Sequence, residues 1–384
     1  MLVVIGGGPY GIATAAKAIE KGIETVVLGR PLGFWTENMP EGMYLRSGPD
    51  WHLDASGVHT FEAFLEERGI GAAEIDPVPI AVFRDYARWF QREKGVVVDE
   101  RLVTSVGLNG ETGQGDEANR HRFDVRLDDE TELVADAVVA APGVRYFQNL
   151  PEWSAGLPAG LCSHTCDLVR FDDFDGARVL IVGGRQSAYE WAALIGEHGA
   201  KQVDIVHRHE VPRFERVSWR FADEYVERTV ASPGWWRSLP ASEQEAIARQ
   251  FWEVGRLTLE WWLRPRLQGE RFHRRPGTSV VAVSTDAVGA ACVQLSDGTE
   301  LAVDRIVLAT GYKADLARVP YLTEVLPLVA TADGFPLLDD AFQTSLSGLF
   351  MPGFIGTRDF GPFFGFTKGC PAAADLVVRG LDRW

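Results

Sequence analysis

The chain opens on four apolar residues, Leu2-Val-Val-Ile5, which break into Gly6-Gly-Gly8-Pro9-Tyr10-Gly11 and continue as the alanine-rich stretch Ile12-Ala-Thr-Ala-Ala-Lys-Ala-Ile19. An apolar run without alternation, bounded by glycine, predicts a strand buried on both faces; the stretch after it predicts a helix. Glu24-Thr-Val-Val-Leu28 predicts a second, parallel strand that stops at Gly29-Arg30-Pro31. From about 34 to 95 the pattern turns helical and irregular. Thr60 starts one helical segment, and Phe83, Tyr86, Trp89 and Phe90 share one face of another, where core packing is their expected role. Strand-like runs follow at 102–108, 123–127 and 137–141, with the polar stretch 109–121 as a hairpin excursion, closing in Ala140-Ala141-Pro-Gly143.

The opening grammar then repeats. Ala177-Arg-Val-Leu-Ile-Val182 leads into Gly183-Gly-Arg185-Gln186-Ser187-Ala188 and a helical pattern, and Val203-Asp-Ile-Val206 forms the next strand, tipped by His207-Arg208. Between 211 and 275 lies an insertion carrying Trp219, Trp235, Trp236, Trp252, Trp261 and Trp262, half of the chain's 12 tryptophans. Its main helix is expected to start at the capping box Ser242-Glu-Gln-Glu245 and to end before Pro265. The tryptophans can line a substrate cavity or fasten the insertion to its parent. Strands return at 279–283, 291–295 and 305–308, the last ending in Ala309-Thr310-Gly311, and a final strand and glycine-rich turn, Gly353 to Gly369, precedes a helix at 372–381. The prediction is an α/β protein with two Rossmann-like dinucleotide-binding domains. One is discontinuous, 1–150 with 311–384; the other, 151–310, is inserted into it and carries the helical insertion 211–275.

Both glycine turns have the residue types that cradle a pyrophosphate. Gly6 allows the tight exit from the strand, Gly8 lets backbone approach the anion, and Gly11 lets the helix pack close, with Pro9 and Tyr10 between them. The second copy has Gly183 and Ala188 in register, but Arg185 stands where the middle glycine belongs, so it either pairs with a phosphate or fills its space. Neither following strand ends in the carboxylate that usually takes ribose hydroxyls. Gly29-Arg30 and His207-Arg208 stand there instead; Arg30 can stack on adenine, reach a phosphate or stay solvated, and Arg208 can take a 2′-phosphate or stack on adenine, leaving NADH against NADPH open.

Composition narrows the remaining classes. A formal net charge of −16 argues against nucleic acid or an anionic membrane as partner, and four cysteines in 384 residues suggest a reducing, cytoplasmic setting. The first apolar run lacks a basic flank and is already used as a strand, so no signal peptide or membrane span is expected. The eight histidines show no ligand spacing and predict no metal site. Cys162 and Cys166 are one residue too far apart for a Cys-x-x-Cys couple, which makes them packing residues and dithiol chemistry a minor alternative.

This arrangement resembles the two-dinucleotide-domain flavoproteins, and among them the class B flavin-dependent monooxygenases, over nearly the whole chain. The resemblance rests on Gly6 to Gly11, the Phe34-Trp35 pair, the strand ends Ala140 to Gly143 and Ala309 to Gly311, the turn at Gly183 and the C-terminal glycine-rich segment. The group's further fingerprint is half kept: Gly160 and His164 match, while Pro158 and Leu168 replace aromatic residues. Bacterial FAD-dependent urate hydroxylases are similar at 38–54, 183–192 and 357–365. The resemblance implies FAD in the first cleft and NADH or NADPH in the second, reduction of the flavin, addition of O2 at its C4a position as a hydroperoxide, and hydroxylation of a small electron-rich substrate, urate giving 5-hydroxyisourate. N-hydroxylation, Baeyer–Villiger oxidation, a disulfide-reductase-like flavoprotein and a non-catalytic flavin-binding module are the alternatives. The implied cofactor contacts are Gly6, Gly8, Pro9, Tyr10, Gly11, Gly29, Arg30, Phe34, Trp35, Arg46, Ser47, Ala141, Gly143, Gly183, Arg185, Gln186, Ser187, Arg208, Thr310, Gly311, Gly353, Asp359 and Phe360. The implied catalytic residues are Arg46, His52, Arg358 and Lys368, which supply positive charge and a near-neutral proton carrier for an anionic purine. A small-molecule substrate and O2 are the expected partners, with a homodimer as an open alternative to a monomer.

Overall fold

A computed structural model describes residues 1–109, 122–285 and 290–382, so most of the excursion expected at 109–121 lies outside them. Two five-stranded parallel sheets organise the chain. The first runs Leu349–Phe350, Ala137–Ala140, Leu2–Ile5, Thr25–Leu28 and Val98–Asp99 in spatial order. Every residue of Leu2–Ile5 and Ala137–Ala140 is buried, which is why these strands read as unbroken apolar runs. Helices Pro9–Glu20 and Cys370–Leu381 pack together, so the last helix returns to the first. The face predicted from Phe83, Tyr86, Trp89 and Phe90 is buried along helix Ile80–Glu93, and Thr60 caps helix Phe61–Glu67 by accepting from the Ala63 N–H at 3.1 Å. A three-stranded antiparallel meander, Val103–Asn109, Arg122–Leu127 and Glu132–Ala135, completes this unit.

The second sheet runs Phe272–Pro276, Gln202–His207, Arg178–Val182, Arg305–Leu308 and Cys162–His164. Alternate residues separate its two cores. Val179, Ile181, Val203 and Ile205 face helix Gln186–Glu197, whereas Leu180, Val206, Ile306 and Leu308 pack with the meander Val280–Thr285, Ala291–Leu295 and Glu300–Val303. The two crossing segments between the sheets pair with each other. Asn149 N–H donates to Gly311 O at 2.9 Å, Lys313 N–H to Phe147 O at 2.7 Å, and Gln148 and Tyr312 form an antiparallel bridge.

The insertion departs from expectation in three places. Its last residues, Phe272–Pro276, form the edge strand of the second sheet, because five residues pair in parallel with Val203–His207 despite their charge. Its long helix spans Ala241–Arg256 and starts after Pro240, whose fixed φ leaves Ser242 inside the first turn with no capping bond. Pro265 lies within the short helix Leu263–Arg266, where no i−4 bond is lost. The insertion also crosses over: Trp219, Trp235, Trp236 and Phe251 join the core of the first unit, while Trp262 stays in the second. Trp235 and Trp236 pack on Phe363 at ring-centroid separations of 6.3 and 5.8 Å.

Tyr10 fastens the opening turn to the C-terminal segment, its hydroxyl donating to the carbonyls of Phe364 (2.5 Å) and Phe366 (2.8 Å). Replacing Tyr10 with Phe leaves both carbonyls without this donor and is expected to cost about 1–2 kcal/mol; a chemical unfolding curve superimposed on that of the unsubstituted protein would refute the tie.

Candidate active site

The first glycine turn is shaped by backbone approach. Gly6 has φ +124°, and a Cβ there would fall 2.4 Å from Ala141 O; one on Gly11 would fall 1.8 Å from Gly6 O. A Cβ on Gly8 would meet nothing within 4 Å, so this residue faces open space at the N-terminus of the 12-residue helix that Pro9 begins. The residues present fit a pyrophosphate: small backbone, open space and the positive end of a helix. Ala141 and Gly143 extend the neighbouring strand end beside this turn, and Gly353 packs on the Tyr10 ring. Tyr10 itself points into the protein. Gly29, at φ +118°, ends the second strand; Arg30 after it is ion-paired with Glu37 at 2.5 Å on the surface. Phe34 meets Tyr312 edge-on at 6.4 Å, and Trp35 packs on Phe83 at 4.4 Å.

The second turn repeats the geometry. Gly183 has φ +143°, and a Cβ there would lie 2.3 Å from Ala309 O. Arg185 stands at the N-cap of helix Gln186–Glu197, with no side-chain partner among the described residues; partial desolvation, together with the nearby Arg208, lowers its pKa. Two cations therefore stand near the start of this helix, which suits a phosphate-bearing ligand. Ser187 is exposed beside them. The Gln186 side chain is engaged elsewhere: Oε1 accepts from Glu260 N–H (3.1 Å) and Nε2 donates to Glu190 (2.9 Å). Where the two sheets meet, His164 is buried, with Nδ1 accepting from Cys166 N–H (3.2 Å) and Nε2 3.2 Å from Gly311 O. These contacts define the Nε2–H tautomer, and burial lowers the ring's pKa. Thr310 Oγ1 donates to Asn149 O at 2.5 Å, which ties the two crossing segments.

The residues expected to act on substrate separate into two groups. His52 and Lys368 come together with the insertion. Lys368 pairs with Asp223, its Nζ stands 5.0 Å from the Trp51 ring centroid, and burial lowers its pKa. His52 is also held below the usual histidine range by burial, with Lys368 among its charged neighbours. Trp51, Trp219 and Phe366 surround this point, with ring centroids 5.3–6.5 Å apart. Two buried polar atoms here, His52 Nδ1 and Trp219 Nε1, have no hydrogen-bond partner. Arg46 instead turns to the interface between units: Nε donates to Glu260 (2.9 Å), NH1 to Gly255 O and NH2 to Thr258 O (3.4 Å). Arg358 is paired with Asp359 at 2.9 Å, and Asp359 accepts from Leu338 N–H at 2.7 Å. Phe360 stacks on Phe342 at 3.5 Å in the core, and Ser47 is half-buried.

The description of the pyridine nucleotide-disulphide oxidoreductases matches residues 1–234 of this chain. The chain belongs to that family. It is a flavin-dependent oxidoreductase using FAD and a nicotinamide nucleotide, built on the two-dinucleotide-domain fold. An indole-3-pyruvate monooxygenase of Arabidopsis thaliana is 28% identical over 381 residues, 87% of this chain and 80% of that protein. A FAD-dependent urate hydroxylase of Xanthomonas campestris pv. campestris is 25% identical over 180 residues, 45% of this chain and 37% of that protein, so similarity to it is more distant than the matching segments suggest. Among solved structures, an ornithine N-hydroxylase of Kutzneria sp. 744 has the same fold, with TM-score 0.81, 17% identity, and coverage of 100% of this chain and 98% of that one. No helix among the described residues is long and apolar enough to cross a membrane, and no group of three His, Cys, Asp or Glu residues there can hold a metal ion.

Sequence reasoning missed Glu190 and Glu260, because a lone glutamate in an apolar helix or beside paired tryptophans gives no signal of its partners. Glu190 is buried on helix Gln186–Glu197, and burial pushes its carboxyl up to about 7, against the pull of Arg266 at 3.1 Å. A folded-state value above the unfolded one favours folding at low pH and withdraws that support as pH rises towards 7. Glu190→Gln is therefore expected to stabilise the protein by about 2–3 kcal/mol at pH 8 and by little at pH 5. Melting curves at both pH values check this, and a gain of equal size at each would refute it.

Proposed function

We propose that this chain is an NADPH-driven, FAD-dependent monooxygenase that hydroxylates a small, planar, electron-rich substrate, with urate to 5-hydroxyisourate the preferred reaction. One substrate, O2, NADPH and a proton give hydroxylated product, NADP+ and water. The observation that carries this reading is the aromatic cluster of Trp51, Trp219 and Phe366, which gathers one half-buried cation, Lys368, and two partnerless polar atoms, Trp219 Nε1 and His52 Nδ1. Aromatic faces orient a planar ring, the indole N–H and the imidazole nitrogen hold its polar edge, and the ammonium balances its charge. Bound FAD supplies the two-electron acceptor and the centre at which oxygen is activated. The insertion's Trp235 and Trp236 cover Phe363 in the C-terminal segment and keep bulk water from it.

Relatives named for oxidation of indole-3-pyruvate and of urate both act on planar, electron-rich molecules, which supports the same substrate class. N-hydroxylation of an amine is the second reading. Asp223, paired with Lys368, and Asp50 beside it offer carboxylates to a substrate ammonium. Thiol–disulfide chemistry is disfavoured by burial, which pushes Cys162 up to about 11 and raises Cys166, away from the thiolate.

Aerobic oxidation of NADPH by the FAD-loaded protein against urate, xanthine, indole-3-pyruvate, diamines and cyclic ketones tests the reading. Urate is expected to accelerate oxidation with stoichiometric hydroxylated product; an N-hydroxylated amine would replace the first reading with the second, and peroxide alone with every compound would sink both. Lys368→Met should raise the KM for urate about tenfold and leave NADPH reduction of the flavin unchanged. For the donor, Arg208→Ala should raise the KM for NADPH about tenfold with NADH little affected. An equal effect on both nucleotides would remove the 2′-phosphate role.

A further inference from the structure

The loop 38–46 of the first unit lies along the second unit as a seam. Asn38 Nδ2 donates to Cys166 O at 2.8 Å, Gly42 sits against Leu194 so that a Cβ would be 3.1 Å from its methyl, and Tyr44 meets Trp262 edge-on at 5.9 Å. The seam ends in a charged contact. Arg46 pairs with Glu260, whose side chain is 3% exposed, and the Arg46 guanidinium also stands over the Trp219 ring at 5.1 Å. Glu260 continues the chain of contacts. Its own N–H donates to Gln186 Oε1, Gln186 donates to Glu190, and Glu190 accepts from Arg266, which also holds Glu197 at 2.7 Å. A continuous line of hydrogen bonds thus joins the loop at Arg46 to the first turn of the helix that follows the second glycine turn.

This line is a poor device for stability. Desolvation opposes the charge on Arg46, Glu260 and Glu190 alike, and a buried pair of this kind is often no better for stability than apolar residues of the same volume. What a buried, directional pair supplies is a single geometry. Apolar packing of Tyr44 on Trp262 allows the units to slide, whereas the guanidinium, engaged by one carboxylate and two carbonyls, fixes both distance and rotation. Hydride transfer between two bound nucleotides depends steeply on their separation, so a register held to a fraction of an ångström matters more there than anywhere else in the fold.

We infer that Arg46 and Glu260 are positioning residues that set the register of the nicotinamide-binding unit against the flavin-binding unit, acting through Gln186 on the helix of the second glycine turn. The inference rests on electrons passing from the nicotinamide nucleotide to FAD. It ties Arg46, beside the Trp219 ring, to the relation between the two units and gives the carboxylate of Glu260 a role that neither glycine turn implies.

The test uses the FAD-loaded protein and anaerobic stopped-flow reduction by NADPH. Glu260→Gln, which keeps the shape of the side chain, is expected to leave FAD content and the Kd for NADP+ within about twofold and to slow the limiting reduction rate at least tenfold. Arg46→Lys should fall between, and the exchange Arg46→Glu with Glu260→Arg should recover part of the lost rate. Hydrogen exchange on the FAD-free protein gives an independent readout: in Glu260→Gln, amides at 44–47 and 186–190 should lose protection together while those of Leu2–Ile5 do not. A reduction rate within twofold of the unsubstituted protein overturns the inference, as does a loss that follows FAD content or the Kd alone. Failure of the unsubstituted protein to be reduced by NADPH or NADH would instead overturn the electron path itself.

Discussion

The fold depends on two places where backbone touches backbone with no side chain between. Gly11 against Gly6 brings a helix start onto the end of a parallel strand, and Gly183 against Ala309 brings two neighbouring strand ends together, each more closely than any Cβ permits. Each contact sets a helix N-terminus, with its partial positive charge, at the carboxyl edge of a sheet, and at Gly8 that end faces open space. The buried apolar strands and the meander attached to each sheet hold these two turns rigid. A nucleotide site in this protein is thus a property of backbone geometry first and of side chains second.

The two units are separate in their cores and interlocked at their edges. Paired crossing segments at 147–149 and 311–313, the seam along 38–46 and the insertion's tryptophans each reach from one unit to the other. The insertion is the decisive element. It leaves the second unit after Gln202–His207, buries Trp219, Trp235 and Trp236 in the first unit's core, and returns as the edge strand Phe272–Pro276. The aromatic cluster with His52 and Lys368 exists only because this excursion meets the C-terminal segment there.

Charge is distributed with the same logic. A chain of net charge −16 keeps Arg185 and Arg208 near each other at the second turn and places a half-buried cation, Lys368, against the Trp51 ring. Arg46, Arg358 and Arg266, by contrast, are committed to carboxylates or carbonyls. Their chemistry differs although their residue type does not.

The amino-acid order alone disclosed the central strands of both parallel sheets, both glycine turns and the helical face of Phe83, Tyr86, Trp89 and Phe90, because strand burial, glycine-only contacts and helical periodicity are local in sequence. It did not disclose that Phe272–Pro276 pairs as a strand, that Pro240 rather than Ser242 starts the long helix, or that Arg46 seeks Glu260 across 214 positions. Those outcomes were decided by tertiary structure. An exposed arginine and a buried, ion-paired one are written with the same letter, and only the folded chain supplies the carboxylate, the ring or the open water that distinguishes them.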